Sequence, residues 1–240
     1  GAGGAGGGAG GAAGAAAVGG CGAPAAGRGE DAACVRGARA GWRAVDASGG
    51  GGDRDGHAEC AAATTALGRT DAPVRRSGAR PGDAVLVTGR LGRSAAALRR
   101  FRAGDADRGN ELFRFTPRVA AGRALAPHAT AMMDSSDGLA RSCHQLAAAS
   151  GVGIGLSWAA LPVHPAVERL AADAADRREM AAFFGEDFEL VCTVPPEAVA
   201  TARAAVPTAL TRIGSVTDDE AVAVDGEPLP DRGYTHGGGD

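Results

Sequence analysis

The chain has 240 residues, enough for one large domain or two small ones, and its 45 % hydrophobic content is ordinary, but aromatics are only 4 % and much of the apolar share is Ala, which buries little area. A formal net charge of −3 with interspersed signs predicts no basic face for nucleic acid or anionic membrane. Five cysteines (Cys21, Cys34, Cys60, Cys143 and Cys192) without a C-x-x-C pair point to neither a disulfide framework nor a zinc knuckle and fit a reducing cytoplasm, while no window approaches the roughly 18 apolar residues of a membrane span and no export signal is expected.

Residues 1–20 are Gly and Ala apart from Val18, a composition with no large side chains to offset the entropy of ordering, so residues 1–30 are expected to be disordered. Asp31 to Val45 reads as a short helix with Ala33, Val35, Ala38 and Trp42 as its apolar positions. Gly49-Gly50-Gly51-Gly52-Asp53 is either a flexible backbone presenting a carboxylate or a plain loop, and Ala61 to Leu67 is β-leaning. From Ser77 strands and helices alternate, the pattern of an α/β or α+β domain. Pro81-Gly82-Asp83 signals a turn and Ala84 to Thr88 a buried strand. A helix capped by Ser94 follows to about Arg102, and a second begins at Pro117 and ends near His128. Thr130 to Met133 is strand-like, Asp137 to Ala149 an amphipathic helix closed by Gly151, and Val152 to Trp158 another strand. Beyond the rigid Leu161–Pro165 connection, helices are predicted from Ala166 to about Ala174, before Gly185, and from Glu197 to Ala205, with a strong strand over Phe188 to Val194 and strands and turns in the last thirty residues.

Phosphoryl transfer from ATP needs little covalent help from protein, but it needs metal ions on the phosphates and carboxylates to hold them. Met133-Asp134-Ser135-Ser136-Asp137-Gly138 supplies such a set at a strand-to-helix turn: Asp134 and Asp137 for magnesium, Ser136 and the helix N–H groups for phosphate. The plainer alternative is an N-cap box in which Ser or Asp satisfies the helix end. Gly185-Glu186-Asp187, ahead of the strongest strand, is a second acidic group or a simple turn, and Arg76 either neutralises phosphate charge or is a solvated cation.

In order and spacing these pieces resemble the thiamine-monophosphate kinase family, part of a superfamily with aminoimidazole ribonucleotide synthetase, selenophosphate synthetase and a hydrogenase-maturation protein. The likeness is carried by Gly51-Gly52-Asp53, by Arg76-Ser77-Gly78-Ala79 with Pro81-Gly82-Asp83 and Val87-Thr88-Gly89, by Met133–Leu139, by Gly185–Leu190, and by Gly233-Tyr234-Thr235-His236. The resemblance implies a two-domain α/β (α+β) fold of the aminoimidazole ribonucleotide synthetase type: residues 31–75 as a remnant of the N-terminal ATP-binding and dimerisation domain, and 76–240 as a C-terminal sheet covered by helices on one side. It implies ATP- and magnesium-dependent phosphorylation of thiamine monophosphate to thiamine diphosphate, with no side-chain nucleophile and with a homodimer expected. Asp53, Asp134 and Asp137 would hold metal, Gly52, Asp53, Arg76 and Ser136 would contact ATP, and Glu186 and Tyr234 the thiamine substrate. The chain departs from the family in lacking its N-terminal Gly-Asp-Asp, Thr-Thr-Asp and Leu-Ser-Asp segments and in having Phe184 before Gly185. An inactive binding remnant and another ATP-dependent enzyme of the superfamily are the alternatives.

Overall fold

The computed structural model describes residues 41–46, 60–65 and 70–234. They fall in two compact units, one spanning Ala23–Pro73 and the other running from Val74. In the smaller unit β1 (Gly41–Asp46) and β2 (Cys60–Thr65) form an antiparallel pair, with Trp42 opposite Thr64 and Val45 opposite Ala61. The predicted strand at Ala61 is therefore present, but the predicted helix is not over its described part. Trp42 and Val45 favour extended backbone, and a strand partner satisfies the segment's N–H and C=O groups as well as a helix would. Residues 31–40, like the Gly/Ala-rich 1–30, lie outside the described residues.

The larger unit is a seven-stranded sheet wrapped by helices, the mixed α/β fold expected. Its strands are β3 (Ala84–Thr88), β4 (Ala131–Asp134), β5 (Gly153–Leu156), β6 (Leu190–Val194), β7 (Leu210–Thr217), β8 (Val222–Val224) and β9 (Glu227–Pro228), in the order β4-β6-β3-β7-β5-β8-β9. All neighbours are antiparallel except β5 and β8. The helices are α1 (Arg93–Arg102), α2 (Ala106–Phe113), α3 (Val119–Leu125), α4 (Leu139–Ser150), α5 (Pro165–Leu170), α6 (Ala174–Ala182) and α7 (Val199–Ala205).

Every residue of β3 is buried, so its alternating side chains define two layers. Val85 and Val87 join Ala96 of α1, Leu139 and Leu146 of α4, Val167 of α5 and Met180 of α6. Ala84 and Leu86 face the other way, onto Ala121 and Leu125 of α3 and Ala202 of α7. Helices on one side thus describes the larger layer only, because β3 is apolar on both faces and each face is covered. Fully burying each Leu, Ile or Val contributes about 1.5–3 kcal/mol. Cys143 and Cys192 are buried free thiols whose pKa values burial pushes up to about 12, which leaves them unreactive packing groups.

Two further differences from the predicted elements have local causes. Helix α2 interrupts a stretch with no predicted element; it is capped by Asp105, which accepts from the Arg108 amide, and Gly109 at its centre weakens the helical pattern while letting Phe101 pack against it. Ser94 is not the cap of α1. That place belongs to Gly92, and the amides of Gly92 and Ser94 donate to Asp187, distant in sequence.

Candidate functional site

The Asp134–Gly138 turn joins the end of β4 to the start of α4, as its spacing predicts. Gly138 is the N-cap of α4, and no side chain caps the helix. The N-cap alternative therefore fails: Asp134, Ser135, Ser136 and Asp137 all precede the cap without satisfying the first-turn amides, which are left for an anion. Ser142 instead turns its hydroxyl back to the Gly138 carbonyl at 3.0 Å. Asp134 is exposed and Asp137 half-buried, and among the described residues neither carboxylate has a hydrogen bond or ion pair.

Loop 185–189 packs directly on this turn. The Glu186 amide donates to the Ser136 carbonyl at 2.6 Å. Gly185 makes that approach feasible: its φ is +85°, and a Cβ there would lie 2.5 Å from the Ser136 oxygen. Each following residue has a separate task. Glu186 is exposed at φ 56°, beside the turn. Asp187 is buried against the N-terminus of α1, and burial pushes its pKa up to about 6 against the opposing pull of the Ser94 and Gly92 amides. Phe188, at φ 52°, stacks on Phe115 with ring centroids 5.2 Å apart. Glu189, with only 4 % of its side chain exposed, accepts from Arg118 in a bidentate pair at 2.6 and 2.7 Å and from Thr88 Oγ1 at 2.7 Å. That pair raises the Arg118 pKa. Arg93 reaches the Leu112 and Arg114 carbonyls at 2.9 and 3.0 Å and lies 4.9 Å from the Phe115 centroid.

The last described segment closes the other side. His144 Nε2 donates to the Leu229 carbonyl at 2.8 Å, Arg141 pairs with Asp231 at 3.2 Å, and Arg232 pairs with Glu179 and lies over the Phe183 ring at 4.2 Å. The Tyr234 amide then donates to the Asp137 carbonyl at 3.0 Å, which sets a half-exposed tyrosine beside the turn.

Five predicted residues are thus brought together through backbone contacts: Asp134, Ser136, Asp137, Glu186 and Tyr234. Arg76 is not. Its carbonyl accepts from Ser150 at the far end of α4, and twelve residues of helix span about 18 Å. Gly52 and Asp53 lie outside the described residues. The sequence offers Asp187 only as part of an acidic group and assigns no role to Glu189, Arg118 or Arg93; the signal is the run of acids, whose signs alone do not divide it into cap, pair and free carboxylate.

Among the described residues no cluster of three His, Cys, Asp or Glu side chains is arranged to hold a metal ion. Asp134 and Asp137 still fit magnesium, which takes one or two carboxylates and completes its shell with water and substrate phosphates. No helix of the described residues is long and apolar enough to cross a membrane.

Residues 80–227 match the family model of the AIR synthase related protein C-terminal domain. The thiamine-monophosphate kinase of Halobacterium salinarum is 56 % identical over 221 residues, 92 % of this chain and 76 % of that one. The chain belongs to the thiamine-monophosphate kinase family. The kinase of Methanospirillum hungatei is 39 % identical, over 78 % of this chain and 62 % of its own length. Among solved structures in the family, that of AaThiL complexed with AMPPCP and TMP superposes with a TM-score of 0.64 at 31 % identity, over 73 % of this chain and 58 % of that chain. The chain thus spans three quarters of the Halobacterium relative and about three fifths of the other two.

Proposed function

We propose that the chain transfers the γ-phosphoryl group of ATP to the phosphate of thiamine monophosphate, giving thiamine diphosphate. The reading is carried by the two unpaired carboxylates, Asp134 and Asp137, held at an uncapped helix N-terminus in a chain of this family. Support also comes from the family relative whose structure holds an ATP analogue together with TMP. Asp134 and Asp137 would hold magnesium, which would supply positive charge to offset that of the phosphates. The α4 amides and the Ser136 hydroxyl would donate to phosphate. Glu186 offers a carboxylate and Tyr234 an aromatic face to the cationic thiazolium, a contact of about 0.5–2 kcal/mol. No side-chain nucleophile is required, because positioning and charge neutralisation carry phosphoryl transfer. Arg76, at the other end of α4, takes no part within a single chain. The enzyme would act in the cytoplasm as a homodimer.

A second reading, a binding module without turnover, is favoured by one observation: among the described residues no cluster of three His, Cys, Asp or Glu side chains is arranged to hold a metal ion. Incubating the full chain with ATP, magnesium and thiamine monophosphate separates the two. Thiamine diphosphate should form, and Asp134→Asn should reduce its formation by about a hundredfold or more with the melting temperature unchanged. A folded wild-type chain that binds ATP and yields no product would overturn the kinase reading in favour of the binding module.

A further inference from the structure

Arginines distant in sequence converge beside Glu189 of loop 185–189, in clefts that no residue of the acidic turn lines. Two adjoining clefts, of about 350 and 600 Å³, share Arg93, Arg114 and His164 in their walls. Together they are lined by seven arginines and only two carboxylates, Glu111 and Glu189, in a chain of formal charge −3. Interspersed signs in the sequence hid this concentration, which the fold creates by bringing the β3–α1 loop, the end of α2 and α5 to one place.

Four of the seven are engaged. Arg118 pairs with Glu189, Arg93 holds backbone carbonyls, and Arg100 and Arg108 share Asp105. Arg90, Arg114 and Arg169 are exposed, and among the described residues their side chains have no hydrogen bond, ion pair or ring contact. The field they make is felt by half-buried His164, whose pKa is lowered by burial first and then by Arg93, Arg90 and Arg169. The His164 ring accepts from the Ala166 amide through Nδ1, so its neutral form presents Nε2–H as a further donor.

We infer that these clefts form a second anion site, one for a diphosphate or longer polyphosphate group. Guanidinium groups meet phosphate oxygens in bidentate pairs, and three uncommitted ones exceed what a single phosphate can satisfy. The charge lines concave walls and does not run along a face, which suits a small ligand and not a nucleic-acid strand. The site is distinct from the Asp134–Gly138 turn. β4, β6 and β3 are consecutive in the sheet, so Gly89 at the end of β3 lies about two strand spacings, ~10 Å, from Asp134. It is cationic by itself and requires no metal, so the inference is independent of the kinase reading.

Calorimetric titration of the full chain with inorganic pyrophosphate, in a chelator and without divalent cations, tests it. One-to-one binding is expected, weakening as salt rises. Arg90→Ser, Arg114→Ser and Arg169→Ser combined should weaken it at least about tenfold, a loss of about 1.4 kcal/mol, with no change in melting temperature since all three are exposed. The corresponding Arg→Lys variant keeps the charge but not the bidentate fork and should recover only part of the lost affinity. Parallel titrations with tripolyphosphate and metal-free ATP identify the source of the phosphates: equal affinities assign a nucleotide tail, and preference for tripolyphosphate a free polyphosphate, each in support. No metal-free binding by the folded wild type, equal binding by the Ser variant, or preferential capture of an RNA oligomer would each overturn it.

Discussion

Asp187 shows how one carboxylate can serve structure inside a functional motif. Its two oxygens accept the amides that start α1, yet it is buried enough that its pKa rises from 3.8 to about 6. A raised carboxylate pKa means that the folded state binds the proton more tightly than the unfolded state. The stability it contributes is complete below about pH 4 and is lost as pH rises through about 6. Comparing urea midpoints of wild type and Asp187→Asn between pH 4 and 7 should therefore show the wild-type advantage shrinking by up to about 3 kcal/mol. A constant difference across that range would mean that the carboxylate titrates normally. Its neighbour Glu189 differs in kind: the bidentate Arg118 pair and Thr88 compensate its charge. Glu186, between Gly185 and Asp187, is left exposed and available.

At the scale of elements, the close approach of the 185–189 loop to the 135–138 turn depends on Gly185. Gly185→Ala places a methyl 2.5 Å from the Ser136 carbonyl at a φ of +85°. It should cost about 2–4 kcal/mol, combining backbone strain with displacement of the turn, and should abolish any activity that needs Glu186 beside Asp137. Gly82→Ala is the control, since its φ of +94° is similar but nothing lies within 4 Å of the added carbon. It should cost only about 1–2 kcal/mol, measured by thermal denaturation, and should leave the site intact. Much at this scale was legible beforehand. β3, β4 and α4 declare themselves through short apolar runs, turn residues and the closing Gly151. The place of Arg76 beside Ser150 is not legible because adjacency in a motif says nothing of distance along a helix, and residues 41–45 read as helix because a strand's partner is not local. The arginine clefts were invisible because their members come from separate elements.

At the scale of the whole larger unit, two apolar layers flank a sheet whose central strand is wholly buried, whereas the candidate site hangs on its margin. Family, fold and the acidic turn follow from ordered sequence blocks. The division of labour within Gly185–Leu190 does not, because it rests on contacts with Gly92, Ser94, Thr88 and Arg118, elements brought together only by folding. Residues 229–234 belong to neither apolar layer apart from Leu229. Ion pairs, a ring contact and two backbone oxygens tether them to α4 and α6, and exposed pairs of that kind are worth at most about 1 kcal/mol each. Local detachment is therefore cheaper than global unfolding. In increasing urea the tyrosine wall should peel away while the sheet persists, so fluorescence of the single tyrosine and substrate affinity should change at lower urea than circular dichroism does. A thermal shift assay of variants in this strip would then score them as healthy proteins while the binding site had already come apart.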